Sequence, residues 1–224
     1  MKSLFTALAF TILLIPSASA QVISYITEQG EKYTSAEKDS IANLGYPISI
    51  KKKEIKNDST IYTIEILEKQ QGKTAFQEKF ENKLIPSLVL TDLDGKEIDL
   101  SARGKAMMIN IWSTTCGPCI VEIPQLNQLK KKYDTLVQFI GIAPENKQTI
   151  SSFLERHSFE FDLVCSPKFF EDFNIDSYPR NLFVDKNGIV VTANEGTPLK
   201  KVDGEWRVSV LESYSEILDK VLLK

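Results

Sequence analysis

The chain of 224 residues has one histidine and three cysteines. That inventory cannot build a zinc site of four cysteines, or of two cysteines and two histidines, so no structural metal is expected. Positive charge is also short: the formal net charge is −3. No basic footprint points to nucleic acid or to an anionic membrane surface. Beyond the first twenty residues no apolar run approaches the roughly 20 residues that a bilayer-spanning helix needs. Hydrophobic residues at 42% and charged residues at 25% are the balance of an ordinary globular protein.

The first twenty residues read as a targeting segment rather than as fold. Lys2 supplies a short positive start, Leu4 to Ile15 is apolar apart from Thr6 and Thr11, and Pro16 ends the run. Ala18-Ser19-Ala20 has the small-residue form of a signal-peptidase site, which predicts a mature chain from Gln21. The alternative is an uncleaved membrane anchor. Export changes how cysteines are read, because disulfides persist outside the cytoplasm. Here two of the three stand as Cys116-Gly117-Pro118-Cys119. So small a ring restrains little chain and makes a poor staple, so reversible chemistry explains it better.

Residues 21 to 82 predict a small β-rich unit. Thr34-Ser35-Ala36-Glu37 has the form of a capping box, opening a short helix that Gly45 and Pro47 stop. Ile48 to Ile55 and Ile61 to Leu67 read as strands of a hairpin around Asn57-Asp58-Ser59. Tyr62, Ile64 and Ile66 share one face, and Gln70 to Lys73 reads as a loop. No catalytic constellation is visible there. The unit is expected to be a structural or partner-docking extension.

Residues 83 to 224 predict an α/β domain with a mixed sheet. Leu88 to Leu90 and Glu97 to Leu100 flank the Asp94-Gly95 turn, and Ala106 to Trp112 is apolar enough for a buried central strand. A helical pattern follows Cys116 as far as Lys132. Leu136 to Ile142 reads as strand, Thr149 to His157 as helix and Phe161 to Val164 as strand. Pro167 to Phe173 reads as a short helix. Asn181 to Asp185 and Ile189 to Val191 form a hairpin, and Leu211 to Leu222 closes with a helix.

A C-x-x-C between a buried strand and a helix puts the first cysteine at the helix N-terminus. Unpaired N–H groups and the macrodipole stabilise a thiolate there, so Cys116 is expected to titrate below the free-thiol value of about 8.5. Cys119 lies one turn further in, placed to resolve a mixed disulfide. Pro118 suits a first helical turn.

The stretch Asn110 to Cys119, with Glu122 and Pro124 behind it, resembles the TlpA/ResA-like branch of the thioredoxin superfamily. So do Pro86, Asp94-Gly95, Gly104-Lys105, Tyr178-Pro179 and Asn181 to Gly188. The resemblance spans about residues 84 to 195. It implies a thioredoxin-like fold, a mixed central sheet flanked by helices, and an extracytoplasmic thiol–disulfide oxidoreductase without a cofactor. By this likeness Cys116 is the nucleophile and Cys119 the resolving thiol. Pro179 is a cis-proline facing the dithiol, beside which the Tyr178 backbone meets a substrate strand. Gly117 and Pro118 join the substrate side, as does Trp112, which matches a tryptophan packed near the site and which core packing alone would also explain.

Glu122 matches an acidic residue of several members and shares a helix face with Cys119, which suits proton transfer; a carboxylate favoured by the helix dipole is the alternative. The implied partners are a protein disulfide as substrate and a membrane-bound thiol reductase as electron donor, as in cytochrome c maturation.

Two positions depart from the pattern. Asn110 stands where thioredoxin has a buried aspartate, and an amide cannot take a proton. Thr115 stands where a tryptophan is common, removing an aromatic wall beside the sulfur. A peroxiredoxin is the first rival, but its P-x-x-x-[ST]-x-x-C signature needs proline at Ile109, although Ser113 fits. The second is an adaptor working through residues 21 to 82, which loss of a cysteine would favour, and both are present. Cys165 reads as a small buried hydrophobe at a strand end, with a third redox thiol or an intermolecular link as the alternatives. His157 reads as a helix end, and Lys51 to Lys53 and Lys130 to Lys132 as solvated faces.

Overall fold

The structure, a computed structural model, describes residues 22–43, 46, 48–56, 59–66, 72–101, 103–203 and 205–223. The proposed signal segment therefore lies outside the described residues, as do Leu44, Gly45, Pro47, Asn57, Asp58, Leu67, Gln70 and Gln71.

The N-terminal unit consists of β1 (Val22–Thr27), β2 (Lys32–Tyr33), α1 (Ser35–Asn43), β3 (Ile48–Lys56) and β4 (Ser59–Ile66), with sheet order β2-β1-β4-β3. β3 and β4 are the antiparallel pair read from the sequence. β1, not foreseen, runs parallel to β4 and sets Tyr25 against Tyr62, their rings stacked. The Thr34 capping box is formed: the Thr34 N–H donates to Glu37 Oε2 at 2.8 Å, and the Glu37 N–H donates to Thr34 Oγ1 at 3.2 Å. Tyr33, Ile41 and Ile64 are buried together, with Tyr62, Ile66 and the distant Leu199 packed on them.

Helix α2 (Ala75–Phe80) was not foreseen either. It carries a second capping box, Thr74 with Gln77. The division at residue 82 leaves α2 on the N-terminal side, yet its Phe76 and Phe80 are buried with Ile85, Phe169 and Ala193 of the following unit. Two short strands, β5 (Val89–Thr91) and β6 (Glu97–Asp99), then form the expected hairpin.

The central elements follow as β7 (Ala106–Ile111), α3 (Gly117–Tyr133), β8 (Val137–Ala143), α4 (Lys147–Leu154), β9 (Asp162–Cys165), α5 (Pro167–Phe173), β10 (Arg180–Val184) and β11 (Val190–Glu195). A hairpin absent from the sequence reading, β12 (Leu199–Val202) and β13 (Glu205–Val208), precedes α6 (Val210–Leu222). The sheet order is β11-β10-β7-β8-β9. β7, β8 and β9 are parallel, whereas β10 is antiparallel to both β7 and β11.

Side chains alternate across this sheet. Met107, Ile109 and Ile111 join Ile140, Leu182 and the phenylalanines of α2 and α5. Met108 joins Phe139, Phe183, Leu126 of α3 and Leu218 of α6 on the other face. Asn110 has the parity of Met108, so a polar group stands on the face that α3 and α6 cover. Lys130, Lys131 and Lys132 occupy the last turn of α3, where positive charge meets the negative end of the helix dipole.

One close approach fixes the ring behind the site. Trp112 is fully buried, and a Cβ on Gly141 of β8 would lie 2.6 Å from Leu163 Cδ2 and 3.2 Å from Trp112 Nε1. Gly141→Ala should therefore destabilise the fold by about 1–3 kcal/mol, the cost of overpacking. A lower urea midpoint at unchanged slope would show it; an unchanged midpoint would mean that Leu163 moves aside freely.

Candidate active site

β7 is the middle strand of the five, and after it the chain turns through Ser113, Thr114 and Thr115 into α3. Cys116 is the N-cap of that helix, with extended backbone, and Gly117 and Pro118 form its first turn. Cys116 and Cys119 are joined as a disulfide with their Cα atoms 5.3 Å apart. The Cys119 N–H donates to Cys116 Sγ at 3.2 Å, so the sulfur sits where a capping oxygen would. Cys116 is partly exposed, whereas Cys119 is buried. One sulfur is thus open to attack on a partner and the other sheltered beneath it.

Glu122, one turn after Cys119, has no exposed surface. Its Oε1 accepts from Asn110 Nδ2 at 2.9 Å, and its Oε2 accepts from Thr197 Oγ1 at 3.1 Å. Burial pushes the carboxyl pKa up to about 8, while the hydrogen bonds from Asn110 and Thr197 pull in the opposite direction. A carboxylate present only to satisfy the helix dipole would gain nothing from such burial. Thr197 also reaches the Pro118 carbonyl at 3.4 Å, tying the helix start to the segment after β11.

The Tyr178–Pro179 bond is cis, and Pro179 is buried. Tyr178 is half-buried, and its phenol titrates above the ordinary value, first because of burial and then because of the nearby carboxylates of Glu145 and Asp176. Glu145 holds the turn before Cys116. Its Oε1 accepts from Ser113 Oγ at 2.6 Å, from the Thr114 N–H at 2.9 Å and from Thr114 Oγ1 at 3.0 Å. Ser113 Oγ in turn accepts from the Thr115 N–H at 3.3 Å. Among the described residues, no group of three or more His, Cys, Asp or Glu side chains is placed to hold a metal.

Residues 80–207 match the Redoxin family model. The chain belongs to the Redoxin family. It is 32% identical over 150 residues to the thiol–disulfide oxidoreductase ResA of Bacillus cereus, covering 64% of this chain and 82% of that one. It is 28% identical over 127 residues to the thioredoxin-like protein YneN of Bacillus subtilis, covering 54% of this chain and 75% of the relative. A solved structure from Chlorobium tepidum, assigned as a thiol:disulfide interchange protein of the DsbE type, superposes with a TM-score of 0.54 at 21% identity. It covers 63% of this chain and 97% of the other, and shows the thioredoxin-like fold. The Redoxin chain is a TlpA/ResA-like thiol–disulfide oxidoreductase.

In this Redoxin domain the predicted residues divide. Cys116, Cys119, Glu122, Gly117 and Pro118 stand together on the first turns of α3. Trp112 does not belong with the substrate side. It has no exposed surface, and its ring lies between Phe153 and Phe159 with centroids 5.1 and 5.2 Å away, so packing accounts for it. Cys165 carries a free thiol and is only partly buried, less enclosed than a core strand end should be. Ser166 turns the chain out of the sheet directly after it. His157 lies beyond the end of α4 and stacks on Phe153 at 4.5 Å.

Two residues were not foreseen. Thr197 had only the Gly196-Thr197-Pro198 turn to mark it, and Glu145 only its place after a buried strand. Both act across more than 30 positions of sequence, which no local pattern encodes.

The buried carboxyl links stability to pH. Glu122 is protonated in the folded protein up to about pH 8, but ionises near 4.5 when unfolded. Between those values the unfolded chain binds fewer protons, so stability is full below about pH 4.5 and falls as pH rises through about 8. Glu122→Gln should flatten that limb in denaturant midpoints of the oxidised protein. Parallel curves for the two proteins would show that Glu122 does not titrate in this range.

Proposed function

We propose that this oxidoreductase works outside the cytoplasm and reduces protein disulfides by dithiol exchange through Cys116 and Cys119. The observation that carries it is the Cys116–Cys119 pair at the start of α3, one sulfur open and one sheltered, with Glu122 buried a turn behind. The Cys116 thiolate attacks a substrate disulfide. The S–S bond of the substrate breaks, its leaving sulfur takes a proton, and a mixed disulfide forms. Glu122, as carboxylate, takes the Cys119 proton, and the Cys119 thiolate then attacks Cys116 Sγ. The second substrate thiol is released, and two electrons have passed from enzyme to substrate.

Gly117 and Pro118 shape the entry, and the Tyr178 backbone beside Pro179 pairs with an extended substrate segment. A membrane-bound thiol reductase returns the enzyme to the dithiol state. Export rests on the signal-like residues 1–20, and the unit of β1 to β4 with α1 serves as a structural or docking extension, whereas α2 packs with the Redoxin domain. The Gly117-Pro118 pair, as in thioredoxin at about −270 mV, supports a reducing bias.

Insulin reduction with dithiothreitol should be accelerated by the wild type and not by Cys116→Ser. Equal rates for the two would refute exchange at this site. Cys119→Ser should accumulate substrate proteins disulfide-linked to Cys116, which identifies them directly.

A further inference from the structure

Asn110 of β7 is paired in register with Asn181 of β10, and Asn181 with Asn194 of β11. Three amides therefore stand in a row across the sheet, on the face covered by α3 and α6. Asn110 and Asn181 are buried, and buried amides must find partners. Asn110 Nδ2 donates both to Glu122 Oε1 and to Asn181 Oδ1, each at 2.9 Å. Asn181 Nδ2 donates to the Tyr214 hydroxyl at 2.9 Å, and Asn194 Nδ2 donates to the same oxygen at 3.0 Å. With two amides donating to it, the phenol directs its own proton to the Gly196 carbonyl at 3.5 Å.

An amide side chain has a direction, and this row runs one way. The Tyr214 proton goes to the Gly196 carbonyl, which leaves the phenol oxygen an acceptor towards Asn181, so Asn181 turns its Nδ2 outward and its Oδ1 towards Asn110. Asn110 must then present Nδ2, the same group that meets Glu122. Without the phenol oxygen Asn181 is free to flip. Asn110 would follow, setting its Oδ1 against Glu122 Oε1, and two acceptors face each other only when Glu122 carries a proton.

We propose that Tyr214 is a positioning residue: through Asn181 it holds Asn110 as a donor to Glu122, and so sets from α6 the pH range in which Glu122 exchanges its proton. This rests on Glu122 being the proton acceptor of the exchange reaction. The titratable group facing Glu122 in the oxidised protein is the Tyr214 phenol; the thiols of its own helix join it only on reduction. β7, β10 and the segment at Thr197 present neutral amides and a hydroxyl. Burial and the Glu122 charge both raise the Tyr214 pKa well above that of free tyrosine, so the phenol stays neutral throughout.

Carbon-13 spectra of the oxidised, glutamate-labelled protein read the Glu122 midpoint, with Glu122→Gln assigning the signal. Tyr214→Phe keeps the ring, which packs edge-on against Phe183 at 5.0 Å, and removes only the oxygen. It should raise the Glu122 midpoint by about one pH unit, the worth of one hydrogen bond to a charged group. Asn181→Ala cuts the same arm and should give the same shift, and the double variant should move no further than either alone. If Tyr214→Phe does not fold, Asn181→Ala carries the test. An unmoved midpoint in a folded variant, or shifts that add in the double variant, would overturn the assignment. The pH profile of exchange in Glu122→Gln separates the two readings: a wild-type profile there refutes Glu122 as the proton acceptor, while the midpoints still decide the role of Tyr214.

Discussion

A carboxyl group with no exposed surface has two ways to exist: it keeps its proton, or it is surrounded by donors. Glu122 is given both options at once. Burial favours the protonated form, while Asn110 and Thr197 stand ready to support the ion. That balance is built from the whole domain, because its members come from β7, α3 and the segment after β11, and the amide of Asn110 is held in turn by β10 and α6. The sheet must place two asparagines opposite each other in its centre for the balance to exist at all. Their burial is tolerable because every amide in the row has a partner.

The same segment that carries Thr197 connects the two parts of the chain. Two residues further on, Leu199 packs against Tyr33, Ile41 and Ile64 of the N-terminal unit. The loop over the acid is thus held on one side by the N-terminal unit and on the other by its bond to the start of α3. On the opposite flank, Glu145 gathers the hydroxyls and the N–H of the Ser113–Thr114 turn. The helix is entered from a turn with little freedom, which suits the proposed attack of Cys116 on a disulfide in one orientation.

Much of this was legible in the sequence. The buried strand Ala106–Ile111, the capping position of Cys116 and the helix behind it follow from local pattern, because strand and helix periods are written in consecutive residues. The Thr34 capping box was equally local. What escaped lies at longer range. The strand Val22–Thr27 takes its pairing from β4, some forty residues away. Phe76 and Phe80 looked like part of the N-terminal unit until the sheet that buries them was in view. Trp112 beside the motif was open to a substrate-side and a core reading, and adjacency in sequence could not decide between them; its ring is buried. Glu122 was placed on the correct helix face by its spacing; that Thr197 and the Asn110–Asn181–Tyr214 arm surround it depends on strand register, which the sequence does not display.

The central claim is that Glu122 takes the proton of Cys119 when the mixed disulfide is resolved. A mixed disulfide between Cys116 and a short peptide thiol, mixed rapidly into buffers across the pH range, isolates that step as a single release of peptide. The wild-type rate should rise with pH along a titration near 8, the value set by the burial of Glu122, and Glu122→Gln should be slower and lack that limb. Identical pH dependence in the two proteins would contradict it.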